Sequence, residues 1–240
     1  MGIATSFSRF ADYYRRHGFR ATLRRAGVAA KRALFSSRMV LYYCELTSDI
    51  PCPAGFPDSP KVKPKRAYSE LSPQDLEQIV NVWNPEMAHR NIKQRFARGA
   101  SLWLITLEDR LAGYGWTLRG RTIEPHYFPL GEDDVHLFDF HVFPRFRGHG
   151  LNPLLVTQIL RSLAADCQGR AFIEAAEWNQ AQLSSLRKTP FRRLGAARKV
   201  TVFGSTFVWW DGAELVCNPH PASEPRSAVA ARRNASDALR

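Results

Sequence analysis

The feature that most constrains the fold is a pair of glycines, Gly148 and Gly150, between a strand-like and a helix-like segment. The apolar run before them ends near Val142, and an amphipathic segment begins directly after Gly150. Glycine permits the left-handed backbone that a tight turn requires. The amides of such a turn, together with the unpaired amides at a helix N-terminus, attract phosphate groups. The pattern therefore predicts a strand, a phosphate-binding turn and a helix in direct succession.

The spacing of these glycines differs from the two common nucleotide-binding patterns. No Gly-Lys-Ser/Thr sequence follows them, which excludes a P-loop, and the GxGxxG spacing of dinucleotide-binding folds is absent. Basic side chains accompany the glycines and can complement phosphate charge; they are Arg145, Arg147 and His149. The turn therefore indicates a different class of phosphate-containing ligand.

From Lys65 onward the chain alternates between strand-like and helix-like segments. Strands are predicted at 66–71, 102–107, 111–118, 135–143, 171–176, 197–203 and 206–210, and helices at 72–83, 84–99, 148–167 and 179–188. This order predicts an α/β fold with a mixed sheet flanked by helices. Before it, 39–46 is rich in strand formers, and 51–64 holds five prolines and is predicted to be a linker or an extended segment.

The basic charge is concentrated near the N-terminus. The chain has 240 residues and a formal net charge of +12, and its first 40 residues carry nine basic side chains against Asp12, a net +8. Apolar residues recur among the arginines at loosely helical spacing, which predicts a basic helical extension. An anionic lipid surface, a nucleic acid and an acidic partner are all compatible with it, and so is a helix packed on the core with a solvated arginine face.

Three segments are predicted: 1–64 as a basic helical extension with a proline-rich linker, 65–217 as the main domain, and 218–240 as a disordered tail. No stretch approaches the roughly 18 to 20 apolar residues that span a bilayer, and the N-terminus lacks a signal-peptide pattern. The four cysteines show neither a CxxC pair nor zinc-ligand spacing, so we expect reduced thiols and no metal site. The predicted location is the cytoplasm, with peripheral contact at the inner membrane face through the basic extension.

On these residues the chain resembles the GNAT N-acetyltransferase superfamily. The run Arg-Phe-Arg-Gly-His-Gly at 145–150 is similar to that family's Q/R-x-x-G-x-G/A motif for the pyrophosphate of acyl-CoA, with Val142 and Pro144 in their usual places. The segment 179–191 is similar to the family's N-x-x-S-x-x-S-x-x-K-x-G-F pattern. The resemblance covers about 65–217 and agrees with the predicted order of elements.

The sequence departs from the family pattern at three positions. Gln182 replaces the first small residue, Pro190 replaces the glycine, and Leu186 stands where many members carry a tyrosine that acts as an acid. The resemblance therefore leaves the proton donor for the departing thiolate unassigned.

The resemblance implies that acetyl-CoA, as co-substrate, lies between the strands predicted at 135–143 and 171–176. A backbone N–H near Val142 would contact the thioester carbonyl, and the amides of 147–152 would hold the pyrophosphate. An amine acceptor, a small molecule or a saccharide, would then attack directly without a covalent enzyme intermediate. The residues assigned to the co-substrate are Val142, Arg145, Arg147, Gly148, His149, Gly150, Leu151, Asn152 and Asn179. Of these, Asn179 is expected to orient the cofactor or its helix.

The acceptor amine must lose a proton, which requires a base. The candidates on the central strand are Asp134, His136, Asp139 and His141, with Glu174 or Glu177 on the adjacent strand in reserve. Asp139 and His141 share one strand face by period two and are expected to form a carboxylate–imidazole pair that raises the basicity of His141. The alternative is that one of them is an ordinary strand-surface residue.

Two other functions remain open on the sequence alone. The first is an aminoacyl-type transferase that takes a charged tRNA, which would use the basic extension. The second is a catalytically silent module that binds acyl-CoA or serves as a scaffold, which the departures from the family pattern allow. Nucleic-acid contact is disfavoured because no RNP-like strand pattern occurs.

Overall fold

The computed structural model describes residues 38–51, 60–166, 168–202 and 205–211. The predicted helical extension, most of the linker and the predicted tail lie outside these ranges, so their structure and partners stay predictions. Of the four cysteines, Cys44 lies within them and is a buried free thiol. None of the helices in the described ranges has the length and apolar character needed to cross a bilayer.

The described residues form eight strands and four α-helices. The strands are β1 Met39–Glu45, β2 Lys61–Lys65, β3 Ser101–Leu107, β4 Arg110–Arg119, β5 Val135–Val142, β6 Arg170–Ala176, β7 Arg192–Val202 and β8 Ser205–Asp211. The helices are α1 Pro73–Val80, α2 Pro85–Ala97, α3 Leu151–Asp166 and α4 Gln180–Leu186. Short 3-10 turns occupy Tyr68–Glu70 and Pro144–Phe146. The predicted mixed sheet with flanking helices is confirmed.

The strands make one sheet in the order β2-β3-β4-β5-β6-β1-β7-β8. Neighbouring strands are antiparallel except β5 and β6, which are parallel. That parallel pairing runs only from Val135 opposite Ala171 to Leu137 opposite Ile173, although both strands continue beyond it. The sheet is therefore split on one side, between the C-terminal halves of β5 and β6.

Two N-caps start the helices that cover one face of the sheet. The Ser72 hydroxyl accepts a hydrogen bond from the Asp75 backbone amide at 3.0 Å, and the Asn84 side-chain oxygen Oδ1 accepts one from the Met87 backbone amide at 3.1 Å. A proline follows each cap, where its missing N–H costs no intrahelical hydrogen bond. Both helix starts were predicted from these residues and are confirmed.

The sheet separates two apolar layers. On one face, Leu155 and Ile159 of α3 are fully buried against Leu137 and Ile173. On the other face, α1 and α2 bury Ile79 and Ile92 against the inner strands. Each layer removes apolar surface from water, which fixes both helix pairs on the sheet.

The structure corrects the prediction at the N-terminal edge of the sheet. The segment 66–71, predicted as a strand, is not one. The strand is β2, and its residues 61–64 lie in the segment predicted as a linker or an extended segment. An edge strand tolerates the lysines and the proline of Lys61–Lys65, which conceal it in the sequence. The sheet also contains β1, so it begins before the boundary predicted at residue 65. The predicted division into extension, domain and tail otherwise falls on residues outside the described ranges.

Close backbone approach between β4 and β5 supplies a stability test. A Cβ at Gly113 would lie 2.6 Å from the backbone carbonyl oxygen of His141. Backbone cannot rotate away as a side chain can, so we expect Gly113→Ala to lower the free energy of unfolding by about 1–3 kcal/mol. Urea denaturation monitored by circular dichroism measures the change.

The matched control is Gly195→Ala in β7. Its Cβ would meet the ring of Trp210 at 3.3 Å, a contact that a small ring movement relieves. We expect this variant to change the free energy of unfolding by less than about 1 kcal/mol, because alanine also reduces the entropy of the unfolded chain. Equal losses in the two variants would contradict the close approach at Gly113.

Candidate active site

Strand β5 contains a bulge beside the split in the sheet. Asp139 and Phe140 together face the single residue Gly115 of β4, and Asp139 has a φ of 51°, which is unusual for a residue with a side chain. The ring of Phe140 covers Gly115 so closely that a Cβ there would lie 2.4 Å from it. After the bulge, Asp139 and His141 both line cavities on the face of α1 and α2. The prediction that these two residues share a face is confirmed.

The carboxylate of Asp139 has a basic partner on α2. It forms an ion pair with the guanidinium of Arg95, and the side chains of the pair are 28% and 20% exposed. The Arg95 guanidinium also lies 5.1 Å from the ring centroid of Trp116 and 5.3 Å from that of Phe138. The partner of Asp139 is therefore Arg95, not His141 as expected from the sequence.

His141 sits among aromatic rings. Its ring stacks on Tyr114 with centroids 5.6 Å apart and meets the edge of Phe143 at 5.4 Å. Burial lowers the pKa of His141, the positive charge of Arg147 lowers it further, and Asp139 opposes both. The net change is the reverse of the expected rise in basicity. His141 is consequently a neutral imidazole at neutral pH.

Two cavities open on this face of the sheet. The first, of about 420 Å³, is lined by Asp139, Tyr114, Trp83 and Met87 among others. Its rim is apolar and accessible, since Trp83 and Met87 are 59% and 48% exposed. The second, of about 860 Å³, contains His141 and extends from α1 to the start of the glycine turn. The bulge thus presents a carboxylate to one cavity and an imidazole to the other.

Sequence reasoning missed two residues beside Asp139, namely Tyr114 and Arg95. The indole N–H of Trp83 donates to the Tyr114 hydroxyl oxygen at 3.2 Å. Burial raises the pKa of Tyr114 to about 12, and the charge of Asp139 acts in the same direction, so the phenol stays protonated. Only the register of β4 on β5 and the docking of α2 bring these residues to the site, and no local motif carries that information.

The glycine turn has the predicted conformation. Gly148 and Gly150 have φ of 85° and 71°, and α3 begins directly afterwards. A Cβ at Gly148 would meet no atom within 4 Å, so open space lies in front of the turn. The Arg147 Nε donates to the Val142 carbonyl oxygen at 3.1 Å and closes the loop on β5. The turn therefore leaves its glycine positions exposed to a ligand.

Two asparagines assigned to the co-substrate have structural hydrogen bonds of their own. The Asn152 amide group donates to the Gln182 side-chain oxygen at 3.2 Å and to the Ser185 hydroxyl at 2.7 Å. The Asn179 side-chain oxygen caps α4 by accepting a hydrogen bond from the Gln182 backbone N–H at 3.2 Å. Gln182, one of the departures from the family pattern, thus contacts both residues. Asn152 thus fixes α4 against the N-terminus of α3, and Asn179 caps α4 itself.

Glu174 belongs to a separate group, formed with His136 of β5 and with His126 from the connection between β4 and β5. Its Oε2 lies 2.8 Å from Nε2 of His136, and the ring of His126 lies 5.1 Å from that of His136. Burial tends to raise the pKa of Glu174, but the charge and hydrogen bond of His136 outweigh it and lower the pKa. Burial lowers the pKa of His126 to about 4. The structure therefore places Glu174 apart from Asp139 and His141 and engages it with a histidine.

Comparison with known proteins identifies one family. The profile of the acetyltransferase (GNAT) family matches residues 66–188, just over half of the chain. No curated protein sequence matches the chain.

Similar solved structures include the following three proteins, which come from different organisms. A Drosophila protein has a TM-score of 0.47 and 14% identity over 65% of this chain and 48% of its own. A putative acetyltransferase of the GNAT family from Novosphingobium aromaticivorans has a TM-score of 0.43 and 15% identity over 67% of this chain and 61% of its own. A Bacillus subtilis acetyltransferase in complex with CoA has a TM-score of 0.45 and 15% identity over 62% of this chain and 95% of its own. The chain spans about half to two thirds of the length of the first two.

The lowered pKa of His126 makes a prediction about stability and pH. An exposed histidine has a pKa of 6.5, so as the pH falls towards about 4 the unfolded chain takes up this proton before the folded chain does. The folded state therefore loses stability through His126 between these two values. We expect His126→Phe to remove that component, so that its free energy of unfolding falls by about 2 kcal/mol less than the wild type's between pH 7 and pH 4.5.

Urea denaturation across this pH range provides the measurement. The comparison uses the difference between the two proteins at each pH, which cancels the titration of the groups that they share. Parallel pH profiles would contradict the burial of a neutral His126.

Proposed function

Because the chain belongs to the acetyltransferase (GNAT) family, we propose that it transfers an acetyl group from acetyl-CoA directly to an amine. The observation that carries the proposal is the open glycine turn at 147–150, which joins the end of β5 to the N-terminus of α3 beside the split in the sheet. A turn of this kind binds a diphosphate through backbone amides and the positive end of a helix.

The split between β5 and β6 is the proposed place of the acyl group. The Phe143 amide donates to the Ala112 carbonyl oxygen of β4 at 3.0 Å. Since successive amides of a strand point to opposite edges, the Val142 amide is directed to the split. It is proposed to donate to the thioester carbonyl and to stabilise the negative charge that develops there.

His141 is the proposed base. It is neutral at neutral pH, lines the larger cavity, and makes aromatic contacts rather than hydrogen bonds in the described part of the chain. In the proposed reaction the ring accepts a proton from the acceptor amine, the amine nitrogen bonds to the acetyl carbon, and the bond to sulfur breaks. The CoA thiolate leaves and takes a proton from water.

Asp139 and Glu174 are less suited to that step. Arg95 neutralises Asp139, which lines the smaller cavity and not the larger cavity of His141. Glu174 is hydrogen-bonded to His136 and remains the reserve base. Leu186, at the position of the family's tyrosine acid, is fully buried and cannot donate a proton.

One prediction concerns the binding of the co-substrate. Gly148→Asp places a carboxylate in front of the proposed diphosphate site, so we expect the dissociation constant for acetyl-CoA to rise at least about tenfold in isothermal titration calorimetry. The control is Gly99→Asp at the end of α2, because Gly99 also has a positive φ of 82° and open space within 4 Å. This control shares the backbone strain and is expected to keep the wild-type affinity. Unchanged binding by Gly148→Asp would rule out the turn as the diphosphate site.

A second prediction concerns the base. We expect His141→Gln to lower kcat about 100-fold or more in an assay of thiol release with a panel of amines, since a general base contributes at least this much. The wild-type rate should fall when the pH drops below the pKa of His141, which is lower than the ordinary value of 6.5. The rate of the variant should not show this decrease at acidic pH. His89→Gln is the control, because His89, which lies on α2, contacts Tyr68 and lines neither cavity.

The same assay separates the competing functions. A larger loss in Glu174→Gln than in His141→Gln would transfer the role of base to Glu174. Tight binding of acetyl-CoA without thiol release in the presence of any amine would favour the silent binding module, which the leucine at position 186 in place of the family's tyrosine allows. The choice between small-molecule and saccharide amines follows from which acceptor releases thiol.

A further inference from the structure

We propose that His126, His136 and Glu174 form a binding site for a divalent transition metal, with Zn²⁺ as the ion that their chemistry favours. The sequence predicted no metal, and the site lies apart from the proposed base. The proposal goes beyond acyl transfer and does not depend on it.

The three side chains come from three different elements. His136 lies on β5 opposite Phe172 of β6, and Glu174 is two residues further along β6, so both point to the same face of the sheet. His126 comes from the connection between β4 and β5, and its ring centroid lies 5.1 Å from that of His136. One ring nitrogen of each histidine and one carboxylate oxygen lie within 4.8 Å of one another.

The group contains ring nitrogens with no partner. Within the described residues, Nε2 of His126 and Nδ1 of His136 are buried and accept or donate no hydrogen bond. The whole residue His136 is 5% exposed. Native proteins pair nearly all buried polar atoms, so the unpaired Nε2 of His126, on a ring next to that of His136, calls for a ligand. A metal ion would coordinate a nitrogen that no neighbouring side chain reaches.

The donor set selects the ion. Two imidazoles and one carboxylate match zinc, which takes nitrogen and oxygen ligands in tetrahedral sites, whereas Mg²⁺ and Ca²⁺ prefer oxygen alone. The 2.8 Å between His136 Nε2 and Glu174 Oε2 places these two atoms side by side, so that both can bind one ion in place of their mutual contact. Three protein ligands would leave a fourth position for water.

The site has a path to solvent. His126 lines a surface cavity of about 580 Å³ formed by its own connection and by β8. Further along this connection, the Asp134 carboxylate accepts from the Gly131 amide at 2.8 Å and from Arg170 at 3.2 Å. A metal at His126 would supply a second fixed point, so that the connection is tied to β5 and β6 at both places.

The test uses the full-length chain, stripped of metal with a chelator and then titrated with Zn²⁺. We expect one ion bound per chain by competition with a chromophoric chelator, and a rise in Tm of about 5 °C or more at saturating zinc. His126→Asn and Glu174→Gln should each weaken the binding at least about tenfold. His89→Asn, a histidine on α2 outside the group, is the matched control and should bind zinc as the wild type does.

Titration with Co²⁺ provides a readout that needs no variant. Tetrahedral coordination by nitrogen and oxygen ligands gives visible absorption bands, which should appear with one equivalent and disappear when Zn²⁺ is added. Absence of these bands in the wild type, or stoichiometric zinc binding that is unchanged in folded His126→Asn, would overturn the proposal. If either variant fails to fold in the chelated form, the cobalt spectrum of the wild type decides.

Discussion

The end of hydrogen bonding between β5 and β6 after Leu137 is the constraint on which the candidate site depends. Backbone amides and carbonyls inside a protein require partners, and beyond this point neither strand can supply them to the other. The bulge at Asp139 follows directly after this point and bends β5, and the ring of Phe140 packs closely on Gly115 opposite it. A ligand with its own amides and carbonyls can occupy the split without displacing any part of the sheet.

The charges around the split are arranged so that each carboxylate already has a partner. Arg95 neutralises Asp139, and His136 contacts Glu174. His141 differs from both, because its environment is aromatic and its charged form is disfavoured by burial. In the proposed reaction this neutral imidazole receives a proton from an uncharged amine, and the two carboxylates keep their partners.

Local sequence signals predicted the parts of the fold that depend on local physics. The glycine turn, the proline-capped starts of α1 and α2 and the hairpin of β3 and β4 follow from turn chemistry and periodicity. Strand β2 was missed because lysines and a proline hide an edge strand. The pairs of Asp139 with Arg95 and of Asn152 with Gln182 were missed for another reason, since they join residues that are 44 and 30 positions apart. Such contacts arise from register and helix docking, which periodicity does not encode.

The position of β1 has a consequence for how the molecule is assembled. This strand is flanked on both sides by strands from the last third of the described chain, β6 and β7. During synthesis it therefore has no partner strand until about 130 further residues, up to the end of β6, have left the ribosome. Contacts between such distant segments form slowly because a long loop must close first. Until then the apolar residues of β1 are available to chaperones, and the sheet is completed late in the synthesis and folding of this chain.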